Sequence, residues 1–224
     1  MDLSLHSKIV ISITFILIII GSLSIFVLEY NNPATIGNLS LKEKVLASLF
    51  QGTTPRTAGF NTIPIGNLKD ATLFIMIILM FVGASPGSTG GGVKTTTLGT
   101  LLVVVYNMAA RKEDMEIFNR RLKKKAIFKA LTVVIISLLL IVSVTMLLSL
   151  SENFSFIQIF FEVFSAFGTV GLSTGITPEL TTIGRIFIIL TMFVGRVGPF
   201  TLALVIGKRY NKGIRYPEED ILIG

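Results

Sequence analysis

A glycine-rich run set inside an apolar stretch limits the architectures open to this chain more than any other part of it. Gly83-Ala84-Ser85-Pro86-Gly87-Ser88-Thr89-Gly90-Gly91-Gly92-Val93-Lys94 lies between apolar segments at 67–82 and 98–110. Each segment alone is too short to cross about 30 Å of hydrocarbon, whereas the segments and the run together reach that length. The spacing predicts a membrane-crossing helix broken near its middle. Unpaired backbone inside a bilayer persists only when it is buried in protein or lines a wet cavity. The run is therefore a candidate for a moving element or for the wall of a path.

Composition points the same way, since 51% of the 224 residues are hydrophobic and 15% are charged. That is too apolar for an ordinary soluble domain and implies an integral, multi-pass membrane protein. Cysteine is absent and His6 is the one histidine, which removes disulfides, thiolate metal sites, Cys nucleophiles and histidine clusters together. The chain is read as no enzyme, and no cofactor is expected. The net charge is +7, and its placement decides its meaning. Arg111, Lys112, Arg120, Arg121, Lys123, Lys124, Lys125 and Lys129 share one loop, and Lys208, Arg209, Lys212 and Arg215 follow the last apolar stretch. Both groups mark the cytoplasmic side and contact membrane lipid headgroups. No aromatic interleaving accompanies them, so nucleic acid is not expected as a partner.

Taken in order, Ile9 to Leu28 are uncharged and apolar for the length of one spanning helix. A signal peptide is disfavoured, because the stretch is too long and no small-residue cleavage pattern follows. A polar turn at 31–38 leads to Ser40-Leu41-Lys42-Glu43, a capping box opening a short helix over about 41–52. Arg56-Thr57-Ala58-Gly59-Phe60-Asn61-Thr62 follows, with turns at Pro64 and Gly66. A short helix with an extended return has the outline of a re-entrant pore loop, or of a surface helix with a loop. After the basic loop, 113–126, Ile127 to Leu150 form another spanning stretch. Ser155-Phe156-Ile157-Gln158 is a second capping box, opening a short helix to about Gly168. Thr169-Val170-Gly171-Leu172-Ser173-Thr174-Gly175, a turn at Thr177-Pro178 and a last helix from Thr182 to about Gly207 complete the pattern.

Laying residue i on residue i+112 matches Thr57 to Thr169, Gly59 to Gly171, Thr62 to Thr174 and Leu68 to Leu180. The same register pairs Met80-Phe81-Val82-Gly83 with Met192-Phe193-Val194-Gly195. The chain reads as a duplication. The fold class is an all-α membrane protein of two helix–pore-loop–helix repeats, K+ channel-like, with a broken helix in the first. The repeats occupy 1–112 and 127–207, and 208–224 form a cytoplasmic tail. Each copy starts inside, crosses outward, dips in and returns, so Gly59 and Gly171 are symmetry-related positions in the outer half of the membrane.

A short helix aimed into the membrane ends in about half a negative elementary charge, which favours a cation just beyond it. Thr57, Ala58, Gly59, Phe60 and Asn61, with Thr169, Val170, Gly171, Leu172 and Ser173, can turn backbone carbonyls toward an axis and replace an ion's hydration oxygens. This suits a dehydrated alkali cation. Arg196 stands in an otherwise uncharged run from Ile186 to Ile206, where an ionised side chain normally faces a cavity or a partner. It either anchors the glycine run or tunes cation passage.

These motifs, together with Arg196-Val197-Gly198-Pro199 after the second Met-Phe-Val-Gly block, resemble the Trk/Ktr/HKT potassium transporter superfamily over essentially the whole chain. The likeness is greatest to the membrane subunit of the Ktr branch. The resemblance implies potassium uptake, passive or sodium-dependent, with K+ held by backbone carbonyls and Na+ as a coupling or activating ion. Gly59 and Gly171 would be filter glycines of the third and fourth repeats. Ala84, Ser85, Pro86, Gly87, Ser88, Thr89, Gly90, Gly91, Gly92 and Lys94 would form an intramembrane gating loop, and Arg196 the basic residue near the pore. Implied partners are a second copy of the membrane subunit, as a homodimer, and a cytosolic, KtrA-like, nucleotide-binding regulatory ring. A complete member has four repeats and this chain has two, so it is expected to be part of a longer subunit or to assemble with another half.

Two other readings carry less. A phosphate-binding loop needs glycine immediately before its lysine, and Val93 precedes Lys94. Gly87 and Gly91 are spaced as Gly-x-x-x-Gly, which would suit a non-conducting assembly module of close-packed helices, but that leaves the paired loops without a purpose.

Overall fold

The computed structural model describes residues 3–112, 114–198 and 201. Among the described residues two helices are long and apolar enough to span a bilayer, α1 (Leu5–Glu29) and, later in the chain, Lys124–Ser151. At a helical rise of about 1.5 Å per residue these 25- and 28-residue helices reach about 37 and 42 Å, more than the hydrocarbon core demands.

After α1 the chain turns and enters α2 (Leu41–Thr53) at the predicted capping box: Glu43 Oε2 accepts from Ser40 N at 2.9 Å, and Ser40 Oγ accepts from Glu43 N at 3.5 Å. α3 (Asp70–Phe81) and α4 (Thr95–Ala109) are the halves of the interrupted helix, with the run between them non-helical. α5 (Lys124–Ser151), α6 (Phe156–Gly168) and α7 (Thr182–Val197) follow. Gln158 Oε1 accepts from Ser155 N at 3.1 Å and closes the start of α6.

A buried carboxylate fixes each long helix to a later one. Glu29, the last residue of α1 and fully buried, accepts from Lys69 N at 3.0 Å and from Thr72 Oγ1, so it caps the start of α3. Its other oxygen accepts from Asn32 Nδ2 at 2.6 Å and Thr35 Oγ1 at 2.8 Å. Glu152, just past α5, accepts from Thr181 N at 3.1 Å and from Thr181 Oγ1, capping α7 likewise. Lys69 and Thr181 are 112 apart. The carboxylates satisfy helix-end N–H groups that hydrocarbon could not.

α1 lies along α2, α3 and α4, while α6 is held among α3, α5 and α7. The core is continuous across the chain: Met76, Ile77 and Met80 of α3 meet Ile141 and Leu148 of α5 and Ile159, Phe161 and Phe167 of α6. Phe81 stacks on Phe167 at 6.2 Å between centroids and meets Phe164 edge-on at 5.8 Å. Large apolar side chains such as Phe15, Leu139 and Leu150 point outward, the surface a bilayer or further protein would cover.

Three expectations need correction. The all-α expectation gains one exception inside the basic loop: β1 (Glu116–Ile117) and β2 (Arg120–Arg121) pair antiparallel across a two-residue turn with positive φ at Phe118 and Asn119, so the fold is helical with one small hairpin. α5 begins at Lys124, inside the expected loop and ahead of Ile127. The last helix does not run unbroken to Gly207. It ends at Val197, with Gly198 at φ 92° and ψ 128°, a conformation open to glycine and closed to a helix. The remainder of that stretch beyond Thr201, and the tail at 208–224, lie outside the described residues.

Candidate functional site

The two short helices deliver their following segments to one place. The chain leaves α2 through Thr54, whose hydroxyl donates to Phe60 O, and passes Thr57 at φ 73° and Gly59 at φ 76°. It leaves α6 directly through Thr169 at φ 51° and Gly171 at φ 90°. The same pair of left-handed positions thus recurs 112 residues apart. Threonine rarely adopts this region, and such backbone persists where its surroundings impose it.

Gly59 and Gly171 meet. A Cβ built on Gly59 would lie 2.1 Å from Val170 O and 3.6 Å from the Gly171 Cα, and one on Gly171 would lie 4.0 Å from the Gly59 Cα. No side chain fits between the loops at Gly59. The helix C-termini behind them orient carbonyl dipoles toward this contact, a field that suits a cation. Of the ten residues singled out from the sequence, Gly59, Val170 and Gly171 make this contact, and Thr57 and Thr169 set the left-handed turns that lead to it. Phe60 O is turned to Thr54, and Asn61 Nδ2 donates to Ile63 O at 3.2 Å, so those two serve the loop itself.

The glycine run closes on its own ends and sits against the same threonines. Val82 and Val93 bridge in parallel, Val93 N donating to Phe81 O at 3.0 Å. Gly90 is buried against the Thr57 side chain, where a Cβ would lie 2.9 Å from Thr57 Cγ2. Gly91 N donates to Thr169 Oγ1 at 2.8 Å. The turn at Gly87, Ser88 and Thr89 is exposed, and nothing lies within 4 Å of the Gly87 position. Since 82–94 is not helical, Gly87 and Gly91 present no Gly-x-x-x-Gly helix face, which removes the packing-module argument.

Lys94 donates to Gly90 O and, at 3.4 Å, to Ser88 O. Arg196 is exposed and makes no hydrogen bond among the described residues. It does not anchor the run by hydrogen bonding there. Together Lys94 and Arg196 set two positive charges beside the run. Arg56, quoted only as part of a motif, reaches across to α1: Nη1 donates to Thr14 O at 3.4 Å and Nη2 to Thr14 Oγ1 at 3.3 Å. The buried Glu162, inside α6, was missed. A glutamate in an otherwise apolar helix was the available signal.

The TrkH description, cation transport protein, matches residues 3–213. Ktr system potassium uptake protein B of Bacillus subtilis is 43% identical over 221 residues, covering 99% of this chain and 50% of that protein. The protein of the same name from Vibrio alginolyticus is 36% identical over 222 residues, covering 99% and 49%. Potassium/sodium uptake protein NtpJ of Enterococcus hirae is 41% identical over 229 residues, covering 99% and 51%. The chain spans about half the length of the curated relatives it matches. In fold it is similar to the crystal structure of the potassium transporter TrkH from Vibrio parahaemolyticus, with a TM-score of 0.74, 18% identity, and 90% of this chain and 45% of that one covered.

Proposed function

This chain belongs to the TrkH family of cation transport proteins, is a membrane protein and not an enzyme, and from that premise we propose that it takes up potassium by forming one side of a channel-like pore. The observation that carries the reading is the contact of Gly59 with Gly171, each in the left-handed region, beyond two short helices. Backbone carbonyls of 57–59 and 169–173 replace the hydration shell of K+. Two loops supply two sides of a four-sided filter, and the other sides come from further sequence or another chain. The helix–pore-loop–helix duplication explains why one backbone conformation recurs at an offset of 112.

In this reading the run from Ala84 to Lys94 is the gate. It blocks the path directly beneath the loops, is latched by the Gly91 to Thr169 hydrogen bond, and is backed by the Lys94 and Arg196 charges, which oppose a cation. Two relatives are named as protein B of a Ktr system, which supports a cytosolic regulatory ring acting on the gate; in this reading the membrane subunit also pairs with a second copy of itself. Uptake is passive or sodium-dependent.

Potassium uptake by transport-deficient cells expressing the chain with its complementary half tests the reading. Gly59→Ser and Gly171→Ser should each lower the preference for potassium over sodium by at least tenfold, about 1.4 kcal/mol of discrimination. Unchanged selectivity in both variants would remove the filter from this place.

A further inference from the structure

Glu162 has no role in the pathway above, yet its burial is costly. It sits in the middle of α6, flanked by Phe161, Val163 and Phe164, and is 5% exposed. Its Oε1 accepts from Thr177 Oγ1, whereas Oε2 is buried with no hydrogen-bond partner. Among the described residues no lysine or arginine is recorded in an ion pair with it. A carboxylate removed from water without a counter-charge demands either a proton or a positive ligand.

Space for a ligand lies beside it. A cavity of about 240 Å³ opens between α6, α7 and the 169–173 loop, lined by Glu162, Ser165, Thr169, Gly171, Ser173 and Thr177 among others. A single water needs only about 10–15 Å³ of such volume, so an ion with part of its hydration shell fits. Ser173 Oγ lies 2.9 Å from Thr177 Oγ1, which itself bonds Glu162. The available ligands are all oxygen, the donor type of hard cations. One carboxylate matches one positive charge, and no cluster of three or more His, Cys, Asp or Glu exists among the described residues to hold a multivalent metal.

We infer that this cavity is a monovalent cation site of sodium size, centred on the Glu162 carboxylate and bordered by the 169–173 loop. A carboxylate is a stronger-field ligand than a carbonyl dipole and favours the smaller ion. The binding claim stands without the transport reading. The consequence rests on that reading: sodium held between Glu162 and Thr177 fixes the loop that carries Gly171, giving sodium a place to act on potassium passage.

Melting of the purified chain in sodium, potassium and choline chlorides at equal ionic strength tests binding directly. Sodium should raise the melting temperature by about 3–6 °C over choline, the shift expected for an ion present at some ten times its dissociation constant, and potassium should raise it less. Glu162→Gln preserves size and an acceptor for Thr177, so it should melt near the parent in choline and lose the sodium shift. Thr177→Val retains the carboxylate and should raise the half-saturating sodium concentration about tenfold, measured independently by radioactive sodium binding. No sodium-specific shift in the parent, or a full shift and unaltered sodium binding in both variants, overturns the site and leaves a protonated carboxyl over a water-filled cavity. Loss of selectivity in the glycine variants with the sodium shift intact would uphold both readings. An intact shift with unaltered selectivity would sink the filter alone.

Discussion

Thr169 takes part in both halves of the site: its backbone turns the chain toward Gly171, and its hydroxyl accepts from Gly91 N. Thr169→Val keeps shape and removes the acceptor, leaving a donor unpaired at a cost of about 1–3 kcal/mol. If the run is the gate, that loss falls on the closed arrangement, and basal potassium flux should rise several-fold in uptake assays. The glycines of this contact were legible in the sequence, because left-handed backbone and close approach are needs that few residues other than glycine meet. Glu29 and Glu152 were not legible, since their partners lie 40 and 29 residues onward and no local pattern announces them. Glu29→Ala should lower thermal stability by about 2–4 kcal/mol, read by denaturation in detergent, because it strands Lys69 N and several side-chain donors at once.

At the scale of elements, the broken helix and both short helices could be read from hydropathy and capping residues, while the hairpin and the end of α7 could not. The hairpin turns on Phe118 and Asn119 at positive φ, and phenylalanine is a poor signal for such a turn, where Asn-Gly is usual. The end of α7 was written as Gly198-Pro199, a helix stop, but the apolar residues that continue to Ile206 outweighed it. Two predictions belong here. Deleting Gly87 to Gly92 removes the exposed turn and the latch, and conductance in planar bilayers should increase, whereas unchanged flux would count against a gate. Arg196→Gln removes one of two charges beside the run and should raise flux a few-fold with Gly59 and Gly171 selectivity retained. Acid also acts on one element: hydrogen bonds from the Ser40 hydroxyl and N–H hold the Glu43 carboxyl below its ordinary value of 4.5. That contribution to α2 is present above the ordinary value and is lost as pH falls through the lowered one. The acid limb of a melting profile should therefore flatten in Glu43→Gln.

For the whole molecule, one core joins the two halves of the chain through α3 and α6, so neither repeat is expected to fold without the other. The remaining surface is apolar and broad, and the chain matches about half of its relatives' length. Co-expression with a complementary half is expected to give more potassium uptake than this chain expressed by itself, and the two should purify together. The sharpest test lies at the centre of that assembly. Crystals soaked in rubidium, read by anomalous scattering, should show an ion on the axis faced by the carbonyls around Gly59 and Gly171, with the run from Ala84 to Lys94 beneath it. An assembly with intact loops and ordered rubidium elsewhere, but none at that contact, would contradict the account.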